Sequence, residues 1–141
     1  MIFVDSSVWI DYFNGNQTPE TEKLDSILGT SPICIGDIVL TEVLQGFRND
    51  NDFNTAKELL SSLIIVNVLD TNIALKSANN FRALRKKGIT IRKTIDVIIA
   101  TYCIENSVPL LHSDKDFIPF HKHLKLANAL LSESADAGSL R

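Results

Sequence analysis

The feature that most constrains the fold is a regular alternation of short apolar runs with stretches of helical spacing. The runs lie at residues 2–4, 32–35, 64–68 and 109–112, and the third is rich in β-branched residues. Between them, apolar residues recur every three or four positions, which predicts amphipathic helices. Strands that alternate with helices pair in parallel through right-handed crossovers and are covered on both faces. The pattern therefore predicts a three-layer α/β/α domain with a central parallel sheet of four to five strands, the fifth near residues 124–127.

Residues that can cap helices mark where the predicted helices begin. Ser6 or Ser7 follows the first strand, Asp37 follows the second, and Thr94 precedes an apolar stretch that runs to Glu105. The side-chain oxygens of serine, threonine and aspartate accept hydrogen bonds from the otherwise unpaired amides of a first helical turn. Further helices are predicted from residue 18, over residues 51–63 and over residues 70–87.

Length and composition indicate one folded domain. With 141 residues, 45% of them apolar and 22% charged, the chain has the composition of an ordinary globular protein rather than a disordered one. We assign the domain to residues 1–131 and expect the small, polar tail 132–141 to be mobile. No apolar run approaches the roughly 20 residues of a membrane helix, and no secretory signal is evident, so a cytoplasmic protein is expected. Cys34 and Cys103 lie in apolar stretches, which favours buried reduced thiols without a catalytic role.

Charge is distributed unevenly along the chain. The whole sequence carries −3, whereas residues 71–95 contain seven basic residues and no acid, so that this basic segment carries +7 and the remainder −10. A solvated helix face is the ordinary explanation of such a segment. A protein that holds a polyanion beside carboxylates, however, needs cations close to those carboxylates. Arg92 and Lys93, at the end of the segment, are therefore candidates for phosphate contacts.

Four carboxylates occupy positions that surface acids do not usually take. Asp5 directly follows the first predicted strand and Asp114 lies two residues after the fourth, where the ligand crevice of a parallel sheet lies. Asp96 stands in the first turn of a helix whose same-face neighbours are apolar, and Glu42 is flanked by valine and leucine in another helix. If the four converge, neighbours 4 Å apart repel by about 4 kcal/mol at an effective dielectric of 20, so they must share protons or bind a cation. An all-oxygen cluster selects Mg²⁺, with Mn²⁺ as a substitute, rather than Zn²⁺.

Each acid also has an ordinary structural explanation. Asp5 can cap the first helix, Asp96 can complement a helix dipole, and Glu42 can be a half-exposed helix acid. Asp114 and Asp116 can belong to a Ser-Asp turn. Only their joint placement favours a metal site. The three histidines, at positions 112, 121 and 123, are not predicted to form a site.

The motifs around these acids resemble those of the PIN-domain nucleases, and most closely those of the VapC-type toxins of bacterial toxin-antitoxin pairs. Asp5 lies in the motif IFVDSSVWID, Glu42 in LTEVLQG, Asp96 in TIDVIIA and Asp114 in LLHSDKDF. One such motif would be weak evidence for the family. Four of them in the family's order, over residues 2–120, are specific evidence. The resemblance implies a PIN-like α/β/α fold and a catalytic quartet formed by these four acids, with Asp116 as a further acid near the metal.

The resemblance also implies a function. Members of this family are Mg²⁺-dependent endoribonucleases that cut a structured or single-stranded RNA, often a transfer RNA. A cognate antitoxin silences them, and homodimers are usual. The expected metal ligands are Asp5, Asp96, Asp114 and Asp116. Ser6 stands where many relatives carry threonine and would orient a ligand or the substrate, while Arg92 and Lys93 would contact the RNA backbone.

Four other classes fit parts of the pattern. A phospho-accepting receiver domain would use Asp70, after the third predicted strand, but it needs adjacent acids after the first strand, where Ser6 and Ser7 stand. A haloacid-dehalogenase-type phosphatase needs an acid at position 7. The others are a PIN-fold module that does not cut and a PIN-fold RNA-processing nuclease that is not a toxin. Incubation with RNA and Mg²⁺, with EDTA as control, separates nucleases from the rest.

Overall fold

The computed structural model describes residues 1–130. The predicted tail, residues 132–141, lies outside the described residues. By contacts between residues, the chain forms two compact units. The first comprises Met1–Asn67 and Leu111–Ser113, and the second comprises Val68–Leu110 and the described residues from Asp114 onward.

The sheet is parallel and has four strands, as the apolar runs predicted. The strands are β1 (Ile2–Val4), β2 (Ile33–Gly36), β3 (Ile64–Val66) and β4 (Leu110–Leu111), in the spatial order β3-β2-β1-β4. In the register, Ile2 lies opposite Ile33 and Cys34 lies opposite Ile64. Every residue of β2 is buried, which explains why this strand is a continuous apolar run rather than an alternating one.

The fifth strand expected near residues 124–127 does not form. Instead, Asn128 makes an isolated parallel bridge with Leu110, whose amide donates to the Ala127 carbonyl at 3.0 Å. Lys125 has a φ of 65°, in the left-handed region, and this conformation interrupts an extended segment. In place of the predicted strand, the structure has only this bridge between Leu110 and Asn128 in the described residues.

Four helices belong to the first unit: α1 (Ser6–Phe13), α2 (Pro19–Ile27), α3 (Asp37–Gln45) and α4 (Asp50–Ser61). α2 begins after Thr18, as the sequence indicated, and Thr18 caps it in a reciprocal capping box with Thr21. Of the caps that the sequence offered for α1, namely Ser6, Ser7 and Asp5, the structure has Asp5. The predicted cap of α3 was one residue too late, because Gly36 precedes the helix and Asp37 is its first residue.

The described part of the second unit contains α5 (Thr71–Lys86), α6 (Thr94–Glu105) and α7 (Ile118–His123), the last preceded by a 3₁₀ turn over Lys115–Phe117. α5 packs against α6, where the Asn80 amide donates to the Thr101 hydroxyl at 2.9 Å. The predicted cap of α6 was one residue too late, because Lys93 occupies the cap position and makes no side-chain capping bond. A receiver-type acceptor role for Asp70 finds no support, since this carboxylate caps α5 through the Ile73 amide at 2.8 Å.

The core of each unit is apolar. Trp9 and Phe3 are fully buried in the first unit, as are Phe117 and Phe120 in the second. Both cysteines are buried free thiols, as predicted, and burial raises the pKa of the Cys34 thiol to about 11, so that it stays protonated at neutral pH. Within residues 1–130, no helix combines the length and apolar character required to cross a membrane.

Candidate metal centre

Three aspartates of the second unit converge on one point. Asp96, Asp114 and Asp116 each offer a carboxylate oxygen, and these oxygens lie within 4.8 Å of one another. Asp96 is buried, whereas Asp114 and Asp116 are half-buried. The group therefore has one carboxylate in the interior and two that are partly exposed.

Asp96 owes its position to the start of α6. Its amide donates to the Lys93 carbonyl at 3.1 Å, which places it in the first helical turn. α6 is buried on more than one face, and its buried residues include Val97, Ile99 and Ala100. Asp96 itself is only 6% exposed. The prediction that this acid points along a buried surface is confirmed. A carboxylate buried to this degree needs compensation by a cation or by hydrogen-bond donors.

Asp114 and Asp116 are held in place by the turn that follows β4. The Asp114 carboxylate accepts a hydrogen bond from the Asp116 amide at 2.9 Å and so caps the short 3₁₀ turn. Phe117, fully buried, anchors the same turn in the core. This local bonding is the Ser-Asp turn that the sequence offered as an ordinary explanation, and it also holds both carboxylates beside Asp96.

The electrostatics of the group favour a cation. Two carboxylate charges 4.8 Å apart repel by about 3 kcal/mol at an effective dielectric of 20. Arg92 supplies one positive charge, with its Nη2 atom 3.2 Å from Oδ2 of Asp116. The group contains only carboxylates, without imidazole or thiolate, and this donor set fits a hard ion such as Mg²⁺ or Mn²⁺.

Asp5 lies at the end of β1 in the first unit and is 3% exposed. Its carboxylate accepts from the Ser7 amide at 3.0 Å and from the Ser7 hydroxyl at 2.6 Å. The Ser7 hydroxyl in turn accepts from the Ser113 amide at 3.1 Å, next to Asp114 in the chain. The sequence did not point to Ser7 in this role, although an aspartate side chain often accepts from the backbone amide two residues further on.

Glu42 also lies in the first unit, half-buried on α3. It forms part of the wall of a cavity of about 180 Å³ that Phe13 and Phe47 also line. The two rings meet edge to face, with centroids 5.5 Å apart. Glu42 is therefore a carboxylate beside an aromatic groove. That Asp5 and Glu42 share one metal site with the three aspartates stays a prediction.

The residues expected to contact substrate have different surroundings. Ser6 is the first residue of α1 and is half-buried. Arg92 binds Asp116, and Lys93 is exposed at the start of α6. Elsewhere in the basic segment, Lys76 pairs with Glu105 of α6. The segment is thus partly a helix face paired with acids, and its exposed end adjoins the three aspartates.

The two roles proposed for Asp5, capping and catalysis, can be separated by substitution. Asp5→Ala removes the acceptor for both Ser7 bonds and should lower the free energy of unfolding by about 1–3 kcal/mol. Asp5→Asn keeps a carbonyl acceptor at the same place and should cost less. Urea denaturation of both variants measures the difference. If Asp5→Asn lowers the free energy of unfolding as much as Asp5→Ala does, folding requires the negative charge at this position rather than the capping acceptor.

Comparison with known proteins places these residues in context. The family profile of the PIN domain matches residues 2–121. Ribonuclease VapC11 of Mycobacterium tuberculosis is 29% identical over 119 residues, covering 83% of this chain and 89% of that protein.

Two solved structures share the fold. VapBC2 from Rickettsia felis, bound to a promoter DNA fragment, aligns with a TM-score of 0.72 at 20% identity, over 91% of this chain and 97% of that one. A toxin-antitoxin complex from Klebsiella pneumoniae aligns with a TM-score of 0.65 at 21% identity, over 83% and 90%. These likenesses confirm the predicted three-layer α/β/α architecture.

Proposed function

Because this chain belongs to the PIN domain family, we propose that it is a Mg²⁺-dependent endoribonuclease that acts as the toxin of a toxin-antitoxin pair. The observation that carries the proposal is the convergence of Asp96, Asp114 and Asp116 within 4.8 Å. A relative of similar length is named as a ribonuclease, which supports RNA as the substrate. The proposal includes a cytoplasmic location, where transfer RNA, the first substrate to test, is found.

The chain's residues have distinct roles in the proposed reaction. Asp96, Asp114 and Asp116 would hold the ion, with Asp5 as a further ligand. A bound ion would supply a water of lowered pKa and would neutralise charge on the scissile phosphate. Glu42 is proposed to complete the catalytic quartet with Asp5, Asp96 and Asp114, and it would accept a proton from the attacking water.

The substrate would be held by residues next to these acids. Lys93, exposed at the start of α6, would contact a neighbouring phosphate, and Arg92 would do the same from the preceding position. Ser6, at the first position of α1, would orient a ligand or the substrate through its hydroxyl. Neutralising a phosphate contact weakens binding and flattens its salt dependence, which provides the measurement for each basic residue.

The nuclease proposal is tested by incubating the purified chain with total RNA and Mg²⁺. We expect cleavage with Mg²⁺ and with Mn²⁺, and none with EDTA. Glu42→Gln should lose cleavage while retaining the fold, since Gln has nearly the same shape. Intact RNA under all conditions would contradict the nuclease and favour a PIN-fold module that binds without cutting.

The toxin proposal is supported by the aromatic groove beside Glu42. A partner segment with an aromatic side chain would fill the cavity lined by Phe13 and Phe47, and a basic side chain would meet the carboxylate. We expect expression of the chain alone to arrest growth and the neighbouring antitoxin gene to relieve it. Phe47→Asp should prevent the relief but keep the arrest. Harmless expression of an active nuclease would favour an RNA-processing role instead.

A homodimer is proposed on the exposed face between α5 and α6. A groove of about 540 Å³ lies there, with apolar and small side chains such as Phe81, Ala78 and the half-exposed Leu69. A second copy would cover this surface. Ala78→Arg should then convert dimers to monomers in analytical ultracentrifugation, whereas Asn79→Arg, which adds the same charge at the next helical position, should not. A monomeric parent chain would contradict the proposal.

A further inference from the structure

We propose that Arg92 is an internal cation that the metal displaces. In this proposal the Arg92–Asp116 ion pair and a bound metal exclude each other, and the guanidinium that metal binding releases would contact a phosphate of the RNA. Metal and RNA would then bind cooperatively through one side chain. The inference rests on the proposed metal site, and it assigns to Arg92 a positioning role beyond a simple phosphate contact.

The ion pair has the character of an exchangeable contact. One atom, Nη2 of Arg92, lies 3.2 Å from Oδ2 of Asp116, rather than the two parallel bonds of a bidentate pair. The Arg92 side chain is 71% exposed and Asp116 only 15%. Exposed single-contact pairs contribute little to stability because water and salt compete with them. A divalent ion that gains three carboxylates at once can therefore replace the guanidinium.

The backbone holds Arg92 at the edge of the aspartate group. α5 is closed by Gly88, whose φ of +83° suits glycine, and Ile91, 6% exposed, anchors the connection to α6. Arg92 follows directly and is exposed, four positions before the buried Asp96. The anchored backbone keeps the side chain near the site, while its long stem can turn from Asp116 towards solvent without any movement of the helices.

Competition follows from charge. A guanidinium and a divalent ion both require the oxygens of Asp116, and they repel each other when both are near it. Before metal binds, Arg92 reduces the repulsion among the three aspartates. After metal binds, its positive charge stands beside the reacting phosphate, where the substrate backbone needs a cation. Because linkage is reciprocal, RNA that captures Arg92 should also tighten metal binding.

The first measurement is metal affinity without RNA. Titration of the full chain with Mn²⁺ by calorimetry should show about two- to fivefold tighter binding for Arg92→Gln than for the parent, the upper part of the range expected when one exposed ion pair is removed. Lys93→Gln removes the same charge one residue away, without the contact to Asp116, and should change the affinity less than twofold. Weaker binding by Arg92→Gln, or equal effects of the two variants, would overturn the inference.

A double-mutant cycle of Arg92 with Asp116 shows whether the effect of Arg92 on Mn²⁺ affinity comes from its contact with Asp116 or from long-range charge. In an Asp116→Asn background, Mn²⁺ binding should be weaker and Arg92→Gln should no longer change it. If Arg92→Gln tightens binding equally in both backgrounds, the effect is general electrostatics and the inference is wrong.

The third measurement is RNA affinity in the Glu42→Gln variant, which does not cleave in the proposed mechanism. Mg²⁺ should raise RNA affinity, and Arg92→Gln should remove at least half of that rise. A full rise without Arg92 would overturn the inference and leave the proposed nuclease intact. Absence of Mn²⁺ binding by the parent chain would instead overturn both.

Discussion

Replacing Asp96 by asparagine should reduce Mg²⁺-dependent RNA cleavage by at least about a hundredfold. In the proposed mechanism the ion would contribute several kcal/mol of charge stabilisation to phosphoryl transfer, and loss of the Asp96 carboxylate would forfeit much of it. Asp96 is the most buried member of the aspartate group. Initial rates on a defined transfer RNA, with Mg²⁺ in excess, measure the loss.

A matched control for this substitution is Asp25→Asn on α2, which removes the same charge from an exposed position. It should cleave at the rate of the parent chain. If Asp96→Asn also cleaves at that rate, Asp96 is only a helix-dipole acid and the metal centre is not where the three aspartates meet.

The second large effect is on thermal stability, and its sign should reverse with metal. In metal-free buffer at neutral pH, Asp96→Asn should melt higher than the parent, because one of three mutually repelling carboxylates is gone. With Mg²⁺ at a hundred times its dissociation constant, the parent gains about 2.7 kcal/mol, or roughly 5 to 10 °C for a domain of this length. The variant should gain much less, so that the parent becomes the more stable protein.

Melting curves with EDTA and with Mg²⁺ decide the matter without any assay of activity. Arg92→Gln provides the opposite control, since it should lower the metal-free melting temperature by removing the cation beside Asp116. A helix-dipole role for Asp96 predicts a small loss of stability in the asparagine variant and no response of either protein to Mg²⁺.

Local patterns predicted the elements because helices and strands depend on residues close together in the chain. Runs of aliphatic residues gave the four strands, and helical spacing placed Asp96 on a buried face, where it is 6% exposed. The same reasoning could not choose the cap of α1, since Asp5, Ser6 and Ser7 are all competent caps. That choice depends on where β1 ends, and β1 ends where the Asp5 amide bonds to the Leu111 carbonyl, over a hundred residues away.

Sequence by itself therefore determined the parallel sheet, the helices between its strands and the acids that could form a site, since each is a property of local periodicity or of residue chemistry. Only the tertiary structure decided which side chains meet. The pairing of Arg92 with Asp116 spans 24 residues, and the Ser7 contact with Ser113 spans 106. Such contacts depend on how helices and turns pack, and a shift of a few ångströms in packing, which periodicity does not encode, would break either of them.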